Sequence, residues 1–393
     1  MARSRGNKAN DTSNKKAAPK PTSELAETIK AVGKTFGEGT IRMSKEVRQP
    51  TRIPSGIFVL DMSTLGGQCH GRSSMILAEK HGGKTTLASK FIRSFQLMYP
   101  DQVAAMIDIE GTFDTVWAAK NGVDPDRLYI TECEIGEQAV DVFDALCRTI
   151  EVGWLGLDSL AMIQPFKEQE ASSSDHHIGL QARLIGKLVR KVTSNRTAEY
   201  KRGHEVCTTF INQYRTDAMK MFGDKRIVPG GRTVEHLMTS TFALANKEIA
   251  GKVGGIDMIT HNEQTLNTTK HKANSRIKTA EFKINRSTDH QWLREGMCDD
   301  GRTMLAFAKN MGFHSGAGKS QKIEVGDCIV PFASQDTFAQ ILYEDPDLYW
   351  SLRCNLIAAH AISQGFKGEF IEQIFAQPNL FLHDLENNYL DDL

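Results

Sequence analysis

The chain has 393 residues, of which 40% are hydrophobic and 24% charged, and 48 basic residues balance 48 acidic ones. This composition is typical of a globular protein with a full-sized core and one or two appendages. There is no run of about 18 apolar residues and no apolar signal core, so we expect no membrane span, no secretion and a cytoplasmic location. The seven cysteines form no C-x-x-C pair, which favours reduced thiols and argues against structural zinc.

The charges at the two ends of the chain are opposite in sign. Residues 1–22 are rich in Lys, Asn, Ser, Ala and Pro and predict a disordered basic arm. The last ten residues, DLENNYLDDL, carry four acids and no base. This asymmetry favours electrostatic contact of the termini with a polyanion or with each other. The alternative is that both termini are simply solvated.

Residues 23–37, SELAETIKAVGKTFG, predict a helix because Leu25, Ile29, Val32 and Phe36 recur at helical spacing. The helix is separated from the next apolar run. It therefore packs either on the core of its own chain or on a neighbouring subunit.

From about residue 50, strand-like and helix-like stretches alternate. The predicted strands are SSMILAE, QVAAMIDIE, RLYITE, GWLGLDSLAMI and VCTTFINQ. The predicted helices are TTLASKFIRSFQLMYP, TVWAAKNGV, GEQAVDVFDALCRTIE and a long one at 178–200. Alternation of this kind predicts an α/β fold with a doubly wound parallel sheet, whose ligands bind at the carboxyl ends of the strands. After about residue 290 the alternation weakens, which predicts a separate small C-terminal domain.

The stretch AEKHGGKTT at 78–86 lies between a predicted strand and a predicted helix. It fits G-x-x-x-x-G-K-[ST] at every fixed position except the first, where Ala78 replaces glycine. In this P-loop pattern backbone N–H groups wrap a polyphosphate, the lysine (Lys84) reaches the β and γ oxygens, and the hydroxyl (Thr85) binds Mg²⁺. Alanine adds only a methyl group and accepts negative φ, so we expect the exchange to remove no phosphate contact.

Three polar residues follow strands near this loop. Asp158 ends WLGLD and is placed to hold Mg²⁺ or its water shell, with helix capping as the alternative. Glu110 ends AAMIDIE and can polarise a water toward the γ-phosphate, with an ordinary exposed loop acid as the alternative. Gln213 follows CTTFIN, and its amide both donates and accepts hydrogen bonds, as a sensor of the γ-phosphate must.

The predicted helix at 178–200 carries a basic face opposite an apolar one. The basic residues are Arg183, Lys187, Arg190 and Lys191. Such a face contacts nucleic-acid phosphates or is simply solvated. The polar segment before this helix, 166–179, and the segment 214–229 after Gln213 are long loops, which favours a functional role.

The order of these motifs resembles the RecA family of ATP-dependent DNA strand-exchange recombinases, particularly its phage-encoded members. The resemblance covers about residues 24–290. It depends on KTFGEGTIRM, EKHGGKTTLA, IDIEGTFD, GVDPDRLYI, GEQAVDV, LDSLA, GLQARL, FINQYR, MFGD and PGG. It implies a P-loop NTPase core of the RecA type with a mostly parallel twisted sheet, an N-terminal oligomerisation helix and a small α+β C-terminal domain.

The resemblance also implies how the chain is divided into domains and which partners and cofactors it binds. Residues 1–22 would be the arm, 23–48 a protomer contact, 49–290 the ATPase core with two DNA-binding loops (166–179 and 214–229), and 291–393 the C-terminal domain with its acidic tail. The partners would be single-stranded DNA, homologous duplex DNA, further copies in a helical filament, and possible single-strand-binding and loader proteins. The cofactors would be ATP and Mg²⁺, and the activity DNA-dependent ATP hydrolysis in homologous recombination and DNA repair.

Site residues follow from the same resemblance. The catalytic residues would be Glu110 as base, Lys84, Gln213, and the lysines Lys270 and Lys272, which would reach the ATP of an adjacent protomer. The nucleotide-binding residues would be Ala78, Glu79, Lys80, His81, Gly82, Gly83, Lys84, Thr85, Thr86, Asp114, Trp117 and Asp158, with Thr85 and Asp158 also serving the metal. The DNA-binding residues would be His177, Ile178, Arg183, Arg190, Arg215, Met219, Lys220, Met221, Phe222, Gly230 and Gly231.

The chain departs from the family pattern at four positions, which are Ala78, Asp217, Ala218 and His236. Asp217 and Ala218 stand where a lysine and a larger aliphatic residue are usual, and His236 stands where an aromatic residue is usual. Two alternatives stay open beside the recombinase. One is a ring helicase with the same core. The other, which the departures at Asp217, Ala218 and His236 favour, is an ATP-binding DNA scaffold with little turnover.

Overall fold

The structure, a computed structural model, describes residues 23–47, 49–170, 179–216, 223, 226–253, 255–271, 277–387 and 389. The basic arm, parts of both predicted DNA loops and the end of the acidic tail lie outside the described residues. Contacts divide the chain into two compact units, and the division falls between Gln49 and Pro50.

The first unit contains the predicted N-terminal helix, α1 (Ser23–Phe36). The helix ends there because Gly37 adopts φ +97° and its N–H bonds back to the Gly33 carbonyl at 2.9 Å. None of the residues of α1 is buried, and Leu25 and Phe36 are 48% and 63% exposed. The prediction of a helix at 23–37 is confirmed, and the helix in the structure is one residue shorter because it ends at Phe36.

The second unit alternates strands and helices as predicted. Its described strands are β1 (Arg52–Ile53), β2 (Gln68–Cys69), β3 (Ser73–Ala78), β4 (Val103–Asp108), β5 (Leu128–Glu132), β6 (Val152–Asp158), β7 (Cys207–Gln213), β8 (Arg215–Thr216), β9 (Arg226–Ile227), β10 (Ser240–Val253), β11 (Ile256–His271), β12 (Thr279–Asn285), β13 (His314–Ala317), β14 (Ser320–Val325) and β15 (Cys328–Phe332). Its described α-helices are α2 (Phe58–Thr64), α3 (Lys84–Met98), α4 (Thr115–Lys120), α5 (Gly136–Leu146), α6 (Phe166–Glu170), α7 (Leu180–Lys201), α8 (Gly231–Leu237), α9 (Gly301–Asn310), α10 (Gln335–Glu344), α11 (Pro346–Ser363), α12 (Glu369–Phe375) and α13 (Leu380–Glu386).

The main sheet has eight strands in the order β12-β11-β10-β3-β7-β6-β4-β5. The six strands from β10 to β5 are parallel, while β11 and β12 extend the sheet as an antiparallel ribbon. The predicted α/β fold with a mostly parallel sheet is therefore confirmed. The ribbon was not predicted.

Both faces of the sheet are covered by apolar side chains. Residues that alternate along β3 divide between two buried clusters: Ile76 joins Phe91 of α3 on one face, and Met75 joins Phe143 of α5 on the other. This division follows from the two-residue repeat of a strand. A strand buried on both faces is a continuous apolar run, which is why SSMILAE was recognisable in the sequence.

The region after residue 290 combines the helices α9 to α13 with a three-stranded antiparallel sheet, β13-β14-β15. It belongs to the same compact unit as the main sheet, and its apolar residues continue one of the two clusters. Two buried ion pairs join it to the earlier part of the chain, Asp61 with Arg353 and Arg93 with Asp384. The domain boundaries at 48 and 290 stay predictions.

Several predicted elements end at different residues in the structure. The predicted strand QVAAMIDIE stops at Asp108, so Glu110 follows the strand and does not end it. The predicted strand GWLGLDSLAMI stops at Asp158, and Leu160–Met162 form a turn of 3-10 helix. The register with β4 also ends at Asp158, so later residues have no strand partner there. The long helix begins at Leu180, after Gly179 with φ +83°, and ends at Lys201.

Candidate functional site

The loop between β3 and α3 turns back over the end of its own strand. A Cβ on Gly82 would lie 2.4 Å from the Cβ of Ala78, and one on Gly83 would lie 2.2 Å from the amide nitrogen of Gln264. Gly83 also adopts φ +82°, a left-handed conformation without steric cost for glycine. The loop therefore requires glycine at 82, where it approaches Ala78, and at 83, where it approaches Gln264. Ala78 is a fully buried strand residue, and its methyl group is accommodated because Gly82 has none.

Two side chains hold the loop by hydrogen bonds to its carbonyls, one from α3 and one from β10. Lys84, the first residue of α3, donates from Nζ to the Glu79 carbonyl at 3.0 Å. His81 adopts φ +59°, and its carbonyl accepts from Asn246 Nδ2 at 3.1 Å. Glu79, Lys80 and His81 are exposed. The N-terminus of α3 follows at once, and such a terminus favours anions.

The residues expected to contact a base lie beside the start of α3. Trp117 donates from Nε1 to the hydroxyl of Thr86 at 2.9 Å, and the Asp114 carboxylate caps α4 by accepting from the Trp117 N–H at 2.8 Å. Thr85 is half-buried one residue earlier. The guanidinium of Arg286 lies over the Trp117 ring, 4.1 Å from its centroid. Sequence reasoning missed Arg286, since nothing in the sequence around it signals a contact with Trp117.

Two carboxylates end adjacent strands, because Asp108 of β4 is in register with Asp158 of β6. Burial and the nearby charge of Glu110 raise the pKa of Asp158 to about 7, against the opposing effect of Lys84. A buried carboxyl next to further negative charge is an environment that a divalent cation relieves. The described residues contain no group of three or more His, Cys, Asp or Glu side chains placed to hold a metal ion.

Asp108 organises the loop that carries Glu110. Its carboxylate accepts from the backbone N–H groups of Glu110, Gly111 and Phe113 at 3.1, 3.0 and 2.8 Å. Glu110 in turn accepts at Oε1 from the Ser159 hydroxyl at 2.7 Å. Sequence reasoning named Glu110 and missed Asp108, although an acid two residues before Glu110 in IDIE was a usable signal.

Gln213 ends β7 in register with Ala78 of β3. Its amide nitrogen lies 4.0 Å from the sulfur of Met162. The preceding residue, Asn212, is buried and donates from Nδ2 to the Pro229 carbonyl at 3.0 Å. The end of β7 is thus bonded to the segment where the second predicted DNA loop returns to the core.

The predicted DNA-binding residues are only partly within the described chain. The described ones are Arg183, Arg190, Arg215, Gly230 and Gly231. His177, Ile178, Met219, Lys220, Met221 and Phe222 lie outside the described residues, as do Asp217, Ala218 and the catalytic candidate Lys272.

Arg183 and Arg190 are exposed on α7. Arg215 donates to the Gln181 side-chain oxygen at 3.1 Å and to the Ala161 carbonyl, so the start of the second loop contacts residues on both sides of the first. A Cβ on Gly230 would lie 2.5 Å from Val234, so glycine is required there.

The basic face of α7 is smaller than the sequence predicted. Lys191 lies 3.3 Å from a carboxylate oxygen of Asp144 and 3.4 Å from one of Asp141, both on α5. Its charge is therefore neutralised within the fold. Arg183, Lys187 and Arg190 remain exposed.

Lys270 contacts the C-terminal end of α8. Its Nζ donates to the carbonyls of Glu235 and, at 2.9 Å, of His236. A cation is favourable at a helix C-terminus. Because α8 begins next to Gly230, this contact connects β11 to the helix that follows the second predicted DNA loop.

These features define a nucleotide-binding α/β protein of the P-loop class. A sequence model described as the RecA N-terminal domain matches residues 23–289. Protein RecA of Heliobacterium modesticaldum is 32% identical over 304 residues, which cover 76% of this chain and 83% of that protein. Protein RecA of Mycobacteroides abscessus is 34% identical over 270 residues, 68% of this chain and 75% of the relative. Protein RecA of Nocardia farcinica is 35% identical over 264 residues, which cover 66% of this chain and 73% of that protein.

The chain belongs to the RecA family. Membership in this family places the protein in homologous recombination and DNA repair. The two alternative functions, a ring helicase and a scaffold with little turnover, are not favoured. The family is one of DNA-dependent ATPases that use ATP and Mg²⁺. No helix within the described ranges is both long enough and apolar enough to cross a bilayer.

Proposed function

We propose that the protein forms filaments on single-stranded DNA in the ATP-bound state, exchanges the bound strand with homologous duplex DNA, and hydrolyses ATP when DNA is bound. One observation supports this most directly. Lys84, Glu110, Asp158 and Gln213 converge at the carboxyl ends of four neighbouring parallel strands, β3, β4, β6 and β7. Open parallel sheets bind their ligands at this edge.

In the proposed reaction the loop N–H groups and Lys84 bind the triphosphate, and Lys84 exchanges the Glu79 carbonyl for phosphate oxygens. Thr85 and Asp158 would hold Mg²⁺, which when bound neutralises charge on the β and γ oxygens. Glu110, fixed by the Ser159 hydroxyl, accepts a proton from the attacking water. The water oxygen bonds to the γ-phosphorus, the bond from that phosphorus to the bridging oxygen breaks, and ADP leaves with the electron pair.

The proposed filament makes the ATP site depend on two copies of the chain. Lys270 and Lys272 would reach the triphosphate of the neighbouring copy, so an isolated subunit would lack part of the positive charge. Residues 23–48 would contact a neighbour, which agrees with a helix that has no buried residue. Residues 49–290 would form the ATPase core and 291–393 the C-terminal domain.

The proposed DNA contacts are the two segments 166–179 and 214–229, together with Arg183 and Arg190 of α7. The first was predicted as a loop and begins with α6, and the second includes the short strands β8 and β9. Gln213 would report the γ-phosphate to the second loop. Its neighbour Asn212 already bonds to Pro229 at the end of that loop, so a shift at the end of β7 has a direct path to the DNA contacts.

Substitution of Lys84 tests this proposal. We expect Lys84→Ala to abolish ATP-dependent binding to single-stranded DNA and DNA-stimulated ATP hydrolysis, because the triphosphate loses its closest cation. Lys322→Ala is the matched control, since Lys322 lies on the surface of β14 and pairs with Glu324. DNA binding is measured by fluorescence anisotropy with and without ATP at several salt concentrations, and turnover by phosphate release. ATP-dependent binding that survives at wild-type strength in Lys84→Ala would contradict the proposal.

Images of the protein on single-stranded DNA with a slowly hydrolysed ATP analogue test the assembly. We expect helical filaments, followed by exchange of homologous strands in solution. Closed hexameric rings would contradict the filament.

A further inference from the structure

Asn246 and Gln264 are directly opposite each other on the antiparallel strands β10 and β11. The strand β10 pairs with β3 only as far as Leu244, which lies opposite Ala78, the last residue before the phosphate-binding loop. The two amides are therefore the first cross-strand pair on this face beyond the end of the P-loop strand. The alternation of side chains along a strand places them on the face of Leu244, toward the loop and α3.

Both amide side chains contact the loop. Asn246 donates from Nδ2 to the His81 carbonyl at 3.1 Å. Gln264 is 2% exposed, and a Cβ on Gly83 would lie 2.2 Å from its Nε2 and 3.0 Å from its Cδ and Oε1. The Gln264 carboxamide thus occupies the space that a side chain at residue 83 would need.

Each amide also has one buried atom without a hydrogen bond to any described residue: the Oδ1 of Asn246 and the Nε2 of Gln264. Buried polar atoms in native proteins are nearly always paired, and leaving one unpaired is costly. An unpaired N–H packed against a phosphate-binding loop is a donor that gains a partner if the loop changes conformation. If Lys84 moves to the phosphates of a bound triphosphate, the Glu79 carbonyl, a loop acceptor, loses its present partner.

We infer that Asn246 and Gln264 are positioning residues for the phosphate-binding loop, and that Gln264 donates a hydrogen bond to a loop carbonyl when a nucleoside triphosphate is bound. Asn246 would hold the loop at His81 in both states. Gln264 would stabilise the nucleotide-bound loop alone. The inference rests on the proposed nucleotide site and goes beyond it, since both residues lie outside the P-loop pattern.

A purely structural role for Gln264 makes a different prediction. If the side chain only fills space behind Gly83, an apolar side chain of similar size leaves nucleotide affinity unchanged. If it donates in the bound state, that exchange weakens nucleotide binding without destabilising the nucleotide-free protein. Removal of an unpaired buried N–H is neutral or stabilising for the free protein.

The test compares Gln264→Leu with Asn262→Leu in the full-length protein. Asn262 lies on the same strand two residues nearer the hairpin end, and its Oδ1 is also buried without a described partner, so it is a matched control away from the loop. Thermal unfolding is measured without nucleotide, and the dissociation constant of Mg²⁺-ATP is measured with a non-hydrolysed analogue. Steady-state kinetics separate KM from kcat.

For Gln264→Leu we expect an unfolding temperature equal to or above that of the wild type, about five- to tenfold weaker binding of the analogue, and a rise in KM larger than any fall in kcat. For Asn262→Leu we expect unchanged affinity. Gln264→Glu, which keeps the shape but replaces the donor with an acceptor, should also weaken binding and covers the case in which the leucine variant fails to fold.

Equal affinities for the wild type and both Gln264 variants would overturn the inference and leave the proposed function intact. Equal losses in the Gln264 and Asn262 variants would also overturn it, because the effect would then be general to the ribbon. Failure of the wild type to bind the analogue would overturn the proposed function and this inference together.

Discussion

Asp108 and Asp158 are paired in register as the last residues of β4 and β6, yet their environments differ. The Asp108 carboxylate accepts three backbone N–H groups from the loop that follows it. Burial and the charge of Glu110 raise the pKa of Asp158 to about 7. One carboxyl group is therefore occupied in shaping a loop, and the other is buried beside further negative charge. Identical residues at equivalent strand ends thus have different surroundings.

Replacement of Asp108 should loosen the loop that carries Glu110. We expect Asp108→Ala to lower the free energy of unfolding by about 2 kcal/mol, because three N–H groups lose their acceptor and some regain one from water. ATP turnover should fall as well, since Glu110 is no longer fixed. Urea unfolding measures the first effect, with Asp101→Ala, an exposed acid just before β4, as the control. Equal stability of the two variants would contradict the role assigned to Asp108.

Replacement of Glu110 should separate hydrolysis from binding. We expect Glu110→Gln to reduce ATP turnover by about 10²- to 10⁴-fold, the range for loss of a general base, while nucleotide affinity changes little. Glu132→Gln is the control, because Glu132 ends the adjacent strand β5 in register with Asp108 and is exposed. Turnover is measured by phosphate release with saturating single-stranded DNA. A Glu110→Gln variant with turnover close to that of the wild type would assign the base to another residue.

Asp300 should give the protein a stability that depends on pH. It lies in the interior before α9, where one carboxylate oxygen accepts from the Phe58 N–H at 2.8 Å. Burial raises the pKa of Asp300 from the ordinary value of 3.8 to about 7. Between these pH values the folded protein keeps a proton that the unfolded chain has lost, so the free energy of unfolding contributed by this group falls as pH rises from about 4 to about 7.

Asp300→Asn removes the ionisation and keeps an oxygen for the Phe58 N–H. We therefore expect the stability of the variant relative to the wild type to increase from pH 4.5 to pH 7 and then to level off. Unfolding temperatures at four pH values across this range provide the measurement. A difference between the two proteins that does not vary with pH would show that the carboxyl group is ionised throughout.

Much of the site was predictable because its signals are local in the chain. The P-loop is nine consecutive residues, and its strand and helix flank it directly. Asp158, Glu110 and Gln213 were identifiable because each follows an apolar run that reads as a buried strand. In a parallel sheet such strand ends meet at one edge, so the position of each residue along the chain was enough to predict that it lies at the same edge as the loop.

The contacts that complete the site were not predictable in this way. Arg286 lies over Trp117, and Asn246 and Gln264 contact the P-loop, from stretches that carry no recognisable motif. They reach the site because β10 joins the parallel sheet beside β3 and brings the antiparallel ribbon with it. The alternation of strands and helices along the chain did not indicate this pairing.

The amino-acid sequence by itself determined the alternation of strands and helices, the phosphate-binding loop and the acids at the strand ends, because each depends on residues close together in the chain. Only the tertiary structure decided the strand order, the neutralisation of Lys191 by α5, the different surroundings of Asp108 and Asp158, and the amide pair behind the loop. The physical reason is that hydrogen bonds, burial and charge act over a few ångströms in space, and packing chooses which distant residues come within that range.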